Sequence, residues 1–164
     1  PLDIRWRINQ LLVEHEDYKK SGDPNQKSFA TRIETWKVAW HSILQSPWIG
    51  YGTGDVRDQM GKSYIETNSK LLPKYWLNPH QQYLTVAMTI GILGLIIFTC
   101  LIFYPIIKFR KLHFLFVLAL TITAICMLDE DTLETQAGCT QFIFVYVLTY
   151  MTHKSKKEDI IKRI

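Results

Sequence analysis

Three long stretches of this 164-residue chain carry no charged side chain, and they constrain its fold more than any other feature. They are residues 84–107, 112–128 and 135–152, and each consists mostly of apolar residues. A helix that crosses a bilayer needs about 20 such residues, with a range of roughly 17–25. Any one stretch could instead be a buried core helix, but three in succession favour membrane spans.

The first 83 residues have the opposite character, because they carry 11 Lys or Arg and 9 Asp or Glu side chains. This contrast excludes a simple soluble domain and also a chain that lies wholly within the bilayer. The formal net charge is only +4, set by short basic segments at the far end, so it does not indicate nucleic acid as a partner. The chain begins with Pro1 rather than Met, and we expect it to be the C-terminal part of a longer protein.

The segments between the apolar stretches alternate in charge. Basic residues follow the first and third stretches, whereas the segment after the second contains four acidic residues and no basic one. Basic loops stay on the cytoplasmic side, so the first stretch is predicted to run from outside to inside. The predicted order is a periplasmic loop region (1–83), a transmembrane helix (84–107), a cytoplasmic loop (108–111), a transmembrane helix (112–128), a periplasmic turn (129–134), a transmembrane helix (135–153) and a cytoplasmic tail (154–164).

The first half also predicts two amphipathic helices. Apolar residues recur at helical spacing over Leu2–Lys20, and again from Ile33 to Leu44, stopping before a proline. For the second helix, Thr31 with Glu34 has the form of a capping box, and Ser28 is an equally good N-cap. The predicted fold class is therefore all-α: a fragment of a polytopic membrane protein, with a periplasmic helical loop region followed by about three transmembrane helices.

A glycine-rich segment, Gly50–Asp55, resembles a phosphate-binding loop at first sight. No Gly-Lys-Ser/Thr follows as in a Walker motif, and the third glycine comes one residue too early for the dinucleotide fingerprint. A tight turn with positive φ at several positions is therefore favoured. Residues 51–76 are otherwise predicted to be mostly loop, with a short helix after Asp55.

Asn78 and Pro79 predict the start of the first membrane helix, because Asn is a good N-cap and Pro is favoured at the first helical position. His80 would then lie in the first turn, at the positive end of the helix dipole. That position favours a neutral imidazole able to accept a proton, and it also favours a bound anion. The alternative is an interfacial histidine without a chemical role.

Cationic side chains of the first half are candidates for contact with an anionic ligand. Arg32 precedes Trp36 by one turn on the same predicted helix face, within reach of a cation–π contact. Four cationic residues would line a basic surface facing an anionic head group: Arg57, Lys62, Lys70 and Lys74. For each of these side chains, a solvated surface position is the alternative.

One motif is more specific than these patterns. His80-Gln81 is followed by nine residues and then by Gly91-Ile-Leu-Gly94, which resembles the motif of the O-antigen ligase family. The stretch from Arg32 to Asp55 is also similar to this family and to the related Wzy-type polymerases. Residues 133–138 are similar to the last-helix region of ligase-like proteins. Together these pieces extend from about residue 28 to about residue 150.

The resemblance implies a glycan-transferring enzyme of the bacterial inner membrane that needs neither metal nor cofactor. Its donor would be a glycan linked to undecaprenyl diphosphate, and its acceptor would be lipid A–core or another glycan. The enzyme would also contact membrane lipids. By resemblance, His80 is the motif histidine and Arg32 the loop arginine, both catalytic. The expected substrate-binding residues are Gln81, Asn78, Trp36, Gly52 and Arg57.

Other interpretations remain open at this point. A Wzy-like polymerase would use the same motif, whereas a non-catalytic, membrane-anchored binding protein would have no need of it. A transporter fragment is disfavoured, because the apolar stretches carry no charged residue in their interiors. The family also uses a second arginine further upstream, and neither Arg5 nor Arg7 matches it. We therefore expect this fragment to be inactive by itself.

Overall fold

The computed structural model describes residues 4–109 and 114–162, and within them the chain forms helices and no strand. The all-α prediction is therefore confirmed for the described residues. Part of the predicted cytoplasmic loop 108–111, and the first residues of the predicted span 112–128, lie outside them. The α-helices are α1 Ile4–Ser21, α2 Ser28–Gln45, α3 Val56–Glu66, α4 Gln82–Phe109, α5 Phe114–Cys126 and α6 Gln136–Lys162.

The chain divides into two compact units, of which the first is Pro1–His80 together with Leu84–Leu93. Helices α2 and α3 provide most of its buried core, and the beginning of α4 adds to it. A buried polar contact crosses this core, where the Ser42 hydroxyl donates to Ser63 Oγ at 2.7 Å. The apolar core residues are Ala30, Val38, Ala39, Ile43, Val56, Met60, Tyr64, Leu71, Val86, Ala87 and Met88.

Helix α2 begins one turn earlier than the capping box predicts. Thr31 lies within the helix, and its hydroxyl donates to the carbonyl of Pro24 at 2.9 Å. This bond fastens the helix to the preceding turn, so the Thr31–Glu34 capping box is wrong. The alternative cap Ser28 is the first helical residue. The predicted stop before Pro47 is confirmed, because α2 ends at Gln45.

Helix α4 begins at Gln82, so the prediction that Asn78 caps it and Pro79 opens it is wrong. His80 has a left-handed backbone with φ 46°, which is not a helical conformation. The first N–H of the helix, that of Gln82, donates instead to the carbonyl of Met127 at 3.0 Å. The distant carbonyl of Met127 thus accepts the N–H that would have bonded the Asn78 carbonyl in the predicted helix start.

Helix α4 is broken at Gly91, whose φ of 72° and ψ of −176° lie outside the helical region. Residues 47–52 occupy the break. The Ile92 N–H donates to the carbonyl of Pro47 at 2.7 Å, and the N–H groups of Tyr51 and Gly52 donate to the carbonyls of Met88 and Thr89 at 2.7 and 2.9 Å. The segment therefore supplies bonds that a continuous helix would have made internally.

Gly91 is needed here because backbone lies directly against it. A Cβ at this position would collide with the Trp48 carbonyl and come within 2.7 Å of the Ile49 nitrogen. The sequence predicts that glycines of the motif admit a neighbouring membrane helix. At Gly91 the structure instead admits the backbone of a loop, which is a different use of the same missing side chain.

The second unit consists of Gln81–Tyr83 and Gly94–Ile164. Its apolar core includes Ile102, Ala124 and Met127. The Gln82 side chain, only 3% exposed, accepts a hydrogen bond from the Leu133 N–H at 2.7 Å. Gln82 therefore connects the start of α4 to the segment that precedes α6.

One described helix is long and apolar enough to cross a membrane, Gln82–Tyr104. The apolar parts of α5 and α6 are shorter, Phe116–Cys126 and Gln136–Leu148. At 1.5 Å per residue, neither short segment reaches the roughly 30 Å of a hydrocarbon core. The second and third spans therefore stay predictions.

Candidate functional site

Helix α2 carries both Arg32 and Trp36, which are half-buried and one turn apart. The Trp36 Nε1–H donates to the carbonyl of Pro79 at 2.9 Å. That carbonyl belongs to the peptide bond that joins Pro79 to His80. A single hydrogen bond thus connects the helix of the predicted arginine to the backbone of the predicted histidine, across 43 residues of sequence.

His80 is exposed and has a positive φ of 46°. Side chains with a Cβ disfavour this region, although His, Asn and Asp enter it more often than most residues do. Residues held there cost about 1–3 kcal/mol and cluster at functional sites. Because His80 precedes α4, the prediction that it lies in the first helical turn is wrong, and the dipole argument for a neutral ring loses its basis.

Arg57 and Asn78 line one cavity of about 520 Å³ in the first unit. The structure therefore brings these two predicted binding residues together, and Asn78 lies two residues before His80 in the chain. Arg57 is in the first turn of α3, which the sequence predicts only as a short helix and which extends to 11 residues.

Gly50 and Gly52 have φ values of 74° and 85°, so the prediction of a tight turn with positive φ is confirmed at these two positions. A Cβ on Gly52 would meet nothing within 4 Å. The Gly52 N–H is already bonded to Thr89. Its single donor is therefore occupied within the protein, unlike the free N–H groups that cradle an anion in a phosphate loop.

Gln81 lies in the second unit, where it lines an apolar cavity of about 430 Å³ with Tyr83, Leu95 and Thr99. The described part of the chain brings no three His, Cys, Asp or Glu side chains together in a metal-binding arrangement. Gln82 is a structural residue that the sequence analysis missed. The available signal was its place, because Gln82 is an uncharged polar residue directly after His80-Gln81, at the head of an apolar stretch.

The sequence profile of the O-antigen ligase family matches residues 6–99, more than half of the chain. The matched region includes α2, the 47–52 segment, His80 and the broken part of α4. The chain belongs to the O-antigen ligase family. No solved structure is significantly similar to it.

Three curated relatives of this O-antigen ligase family chain are provisionally named polysaccharide ligases. The Rickettsia conorii protein is 30% identical over 93 residues, which is 56% of this chain and 23% of the relative. The Rickettsia felis protein is 29% identical over 99 residues, with the same two coverages of 56% and 23%. The Rickettsia prowazekii protein is 31% identical over 86 residues, 48% of this chain and 20% of the relative. The chain thus spans less than a quarter of the length of these relatives.

The bond from Trp36 to Pro79 gives a test of how His80 is positioned in this O-antigen ligase family protein. In the full-length protein, Trp36→Phe should keep the ring packing but remove the donor. If His80 is a catalytic residue, its misplacement can cost up to about 10²-fold in rate, so we expect a loss of that order in glycan transfer by the full-length protein. Transfer is measured at matched membrane levels.

The matched control is Trp40→Phe on the same helix. Trp40 is 56% exposed, and we expect this variant to transfer glycan at close to the unmodified rate. Equal activity of both variants would show that the Trp36 hydrogen bond does not position His80.

Proposed function

We propose that the full-length protein transfers a glycan from an undecaprenyl-diphosphate-linked donor to a lipid A–core or similar acceptor, at the periplasmic face of the inner membrane. One observation carries this proposal. The motif histidine His80 is exposed in a left-handed conformation, and its preceding peptide is bonded to the helix that carries Arg32. The chain spans less than a quarter of a relative's length, so the proposal concerns the full-length protein.

In the proposed reaction, His80 acts as a general base. It takes the proton of an acceptor hydroxyl, whose oxygen then forms the new bond to the anomeric carbon of the glycan. The bond from that carbon to the diphosphate breaks, and undecaprenyl diphosphate leaves with the electron pair. Arg32 offers a planar fork of donors that suits the developing charge on the phosphate oxygens.

The other predicted binding residues have different places in this proposal. Trp36 positions the peptide before His80, and Asn78 and Arg57 contact the glycan from their shared cavity. Gly52 contributes space rather than a donor, since its N–H is already bonded. Gln81 follows the histidine and would contact the lipid-linked part of the donor.

The proposal is tested first at Arg32. Arg32→Lys in the full-length protein should reduce transfer by about 10- to 100-fold, because a charged hydrogen bond contributes about 1.5–3 kcal/mol and an ammonium does not reproduce a fork. The control is Lys37→Gln on the same helix, an exposed residue that should tolerate the change. Full activity of Arg32→Lys would contradict a forked phosphate contact. A product ladder of repeat units in the unmodified enzyme would identify it as a Wzy-like polymerase.

The proposed membrane arrangement retains three spans, with residues 1–83 on the periplasmic side. An apolar surface supports the placement of the first unit beside the bilayer. Residues 38–54 contain no Lys, Arg, Asp or Glu, and they expose Trp40, Leu44, Trp48 and Ile49, the last by 82%. Trp is enriched where a membrane meets water, because its ring is apolar and its N–H is polar.

Cysteine labelling tests this orientation. In a full-length variant whose native cysteines are replaced, an impermeant thiol reagent added to cells with a permeabilised outer membrane should modify Thr53→Cys and spare Ser155→Cys. Thr53 is exposed in the first unit, and Ser155 is in the basic end of the chain. Disrupted cells, in which both positions should react, provide the control. Modification of Ser155→Cys with an intact inner membrane would reverse the proposed topology.

A further inference from the structure

The cavity lined by Arg57 and Asn78 combines aromatic, cationic and amide side chains. It lies between α3 and the segment before His80, and its volume of about 520 Å³ falls within the range of about 300–1,000 Å³ typical of small-ligand sites. We call it the α3 cavity. The residues on which the argument depends are Arg57, Asp58, Lys62, Tyr64, Trp76 and Asn78.

Two aromatic rings form a fixed wall of the α3 cavity. Tyr64 and Trp76 stack with their planes 4° apart and their centroids 5.0 Å apart. The Trp76 Nε1–H donates to the carbonyl of Leu71 at 3.0 Å, and the Tyr64 hydroxyl donates to Thr35 Oγ1 at 2.8 Å. Burial raises the pKa of Tyr64, so its hydroxyl keeps this proton at neutral pH. Neither ring therefore needs a ligand to satisfy its polar group.

A preformed aromatic wall suits a sugar ring. The C–H groups on one face of a sugar carry partial positive charge, and the face of an aromatic ring is negative. Because its Nε1–H bond and its stack on Tyr64 already fix Trp76, little side-chain freedom is lost when a sugar ring stacks on it. Asn78 at the edge adds an amide, which both donates to and accepts from sugar hydroxyls.

The charges around the α3 cavity favour an anionic ligand. Arg57 and Lys62 are exposed side chains on α3, against one carboxylate, that of Asp58. Among the described residues, neither cation is in a salt bridge or a side-chain hydrogen bond. A guanidinium matches the two oxygens of a carboxylate or phosphate, and an ammonium adds a point charge.

We propose that the α3 cavity binds an acidic sugar, one that carries a carboxylate or a phosphate. Its ring stacks on Trp76, its anionic group contacts Arg57 and Lys62, and its hydroxyls contact Asn78. Binding of an acidic sugar in the α3 cavity does not depend on the proposed function. That the sugar belongs to the glycan being transferred, or to its acceptor, rests on the proposed function, because Asn78 lies two residues before His80.

Binding is tested with the purified full-length protein in nanodiscs. The probe is trigalacturonic acid, whose sugars carry carboxylates, and the comparison is maltotriose, which is neutral and of equal length. Calorimetry should give an affinity for trigalacturonic acid at least about 10-fold higher, weakening as salt is added. Arg57→Gln combined with Lys62→Gln should reduce that affinity by about 10- to 100-fold, the effect of losing charged hydrogen bonds.

A control pair removes the same charge elsewhere in the first unit. Lys37→Gln combined with Lys20→Gln changes two exposed cations outside the α3 cavity and should leave the affinity within about twofold. Equal binding of the two trisaccharides, or equal effects of the two variant pairs, would overturn the inference. Displacement of trigalacturonic acid by inorganic diphosphate but not by galacturonic acid would also overturn it, in favour of the donor's diphosphate.

His80→Ala separates this inference from the proposed function. The variant should still bind trigalacturonic acid while losing transfer. If His80→Ala retained transfer, the proposed function would fail, and the cavity would still be judged by the binding data alone. If transfer depended on His80 but trigalacturonic acid did not bind, the cavity inference would fail and the proposed function would remain.

Discussion

Replacing His80 with Ala in the full-length protein should reduce glycan transfer by about 10²–10⁴-fold, the usual contribution of a positioned general base. Donor binding should largely persist, because Arg32 and other cations would still hold the diphosphate. The protein should still insert into the membrane, since His80 is exposed and outside α4. Transfer is measured as ligated glycan at matched membrane levels.

The backbone of His80 dictates the control for this experiment. Ala tolerates the left-handed region poorly, whereas Asn enters it several times more often than most residues. His80→Asn therefore preserves the φ of 46° at little cost, keeps a hydrogen-bond donor and cannot take up a proton at neutral pH. We expect it to be as inactive as His80→Ala. Near-normal transfer by His80→Asn alone would eliminate the base and leave a positioning role, and near-normal transfer by both would eliminate the site.

Replacing Gly91 with Ala should sharply reduce the amount of folded protein, because the free energy of unfolding should fall by at least about 3 kcal/mol. Two effects combine at this position. The backbone, at φ 72° and ψ −176°, lies in a region that essentially only glycine occupies. The new Cβ would also collide with the Trp48 carbonyl, which cannot move without displacing the 47–52 segment. The readout is the thermal unfolding temperature in detergent, together with the level of the protein in membranes.

Two other glycines separate these effects. Gly52 has a φ of 85° but open space around a Cβ, so Gly52→Ala should lose only the conformational part, about 1–3 kcal/mol. Gly61 lies in α3 with open space and no positive φ, so Gly61→Ala should be neutral or stabilising by up to about 1 kcal/mol. From most to least stable, the expected order of the variants is Gly61→Ala, Gly52→Ala and Gly91→Ala. A Gly91→Ala protein as stable as Gly52→Ala would contradict the close backbone contact.

Local sequence signals predict the elements that local interactions stabilise. The helical spacing of apolar residues predicts α1 and α2, and Pro47 predicts where α2 stops. The start of α4 is predicted wrongly, because Asn78 and Pro79 are good local signals that distant partners override. Pro79 is held by the bond from Trp36, and the first helical N–H is satisfied by the carbonyl of Met127, in the turn after α5.

The candidate site shows the same division. The motif predicts His80 and the resemblance of the 32–55 stretch predicts Arg32, and the roles of both stay predictions. The glycine pattern predicts the positive φ of Gly50 and Gly52, which is confirmed. No spacing rule predicts that Trp36 bonds the peptide before His80, because 43 residues separate the partners. The stacking of Trp76 on Tyr64 likewise depends on where α3 packs, which is set by the core and not by either residue's neighbours.

The break in α4 also limits how this part of the protein can move. The Ile92 N–H now bonds Pro47, and a straight helix would require the same donor to bond Met88. A single N–H cannot serve both carbonyls well, so the helix cannot straighten while the 47–52 segment stays attached. Straightening of α4 at Gly91 therefore requires release of the 47–52 segment, and displacement of that segment frees the Ile92 N–H for a helical bond.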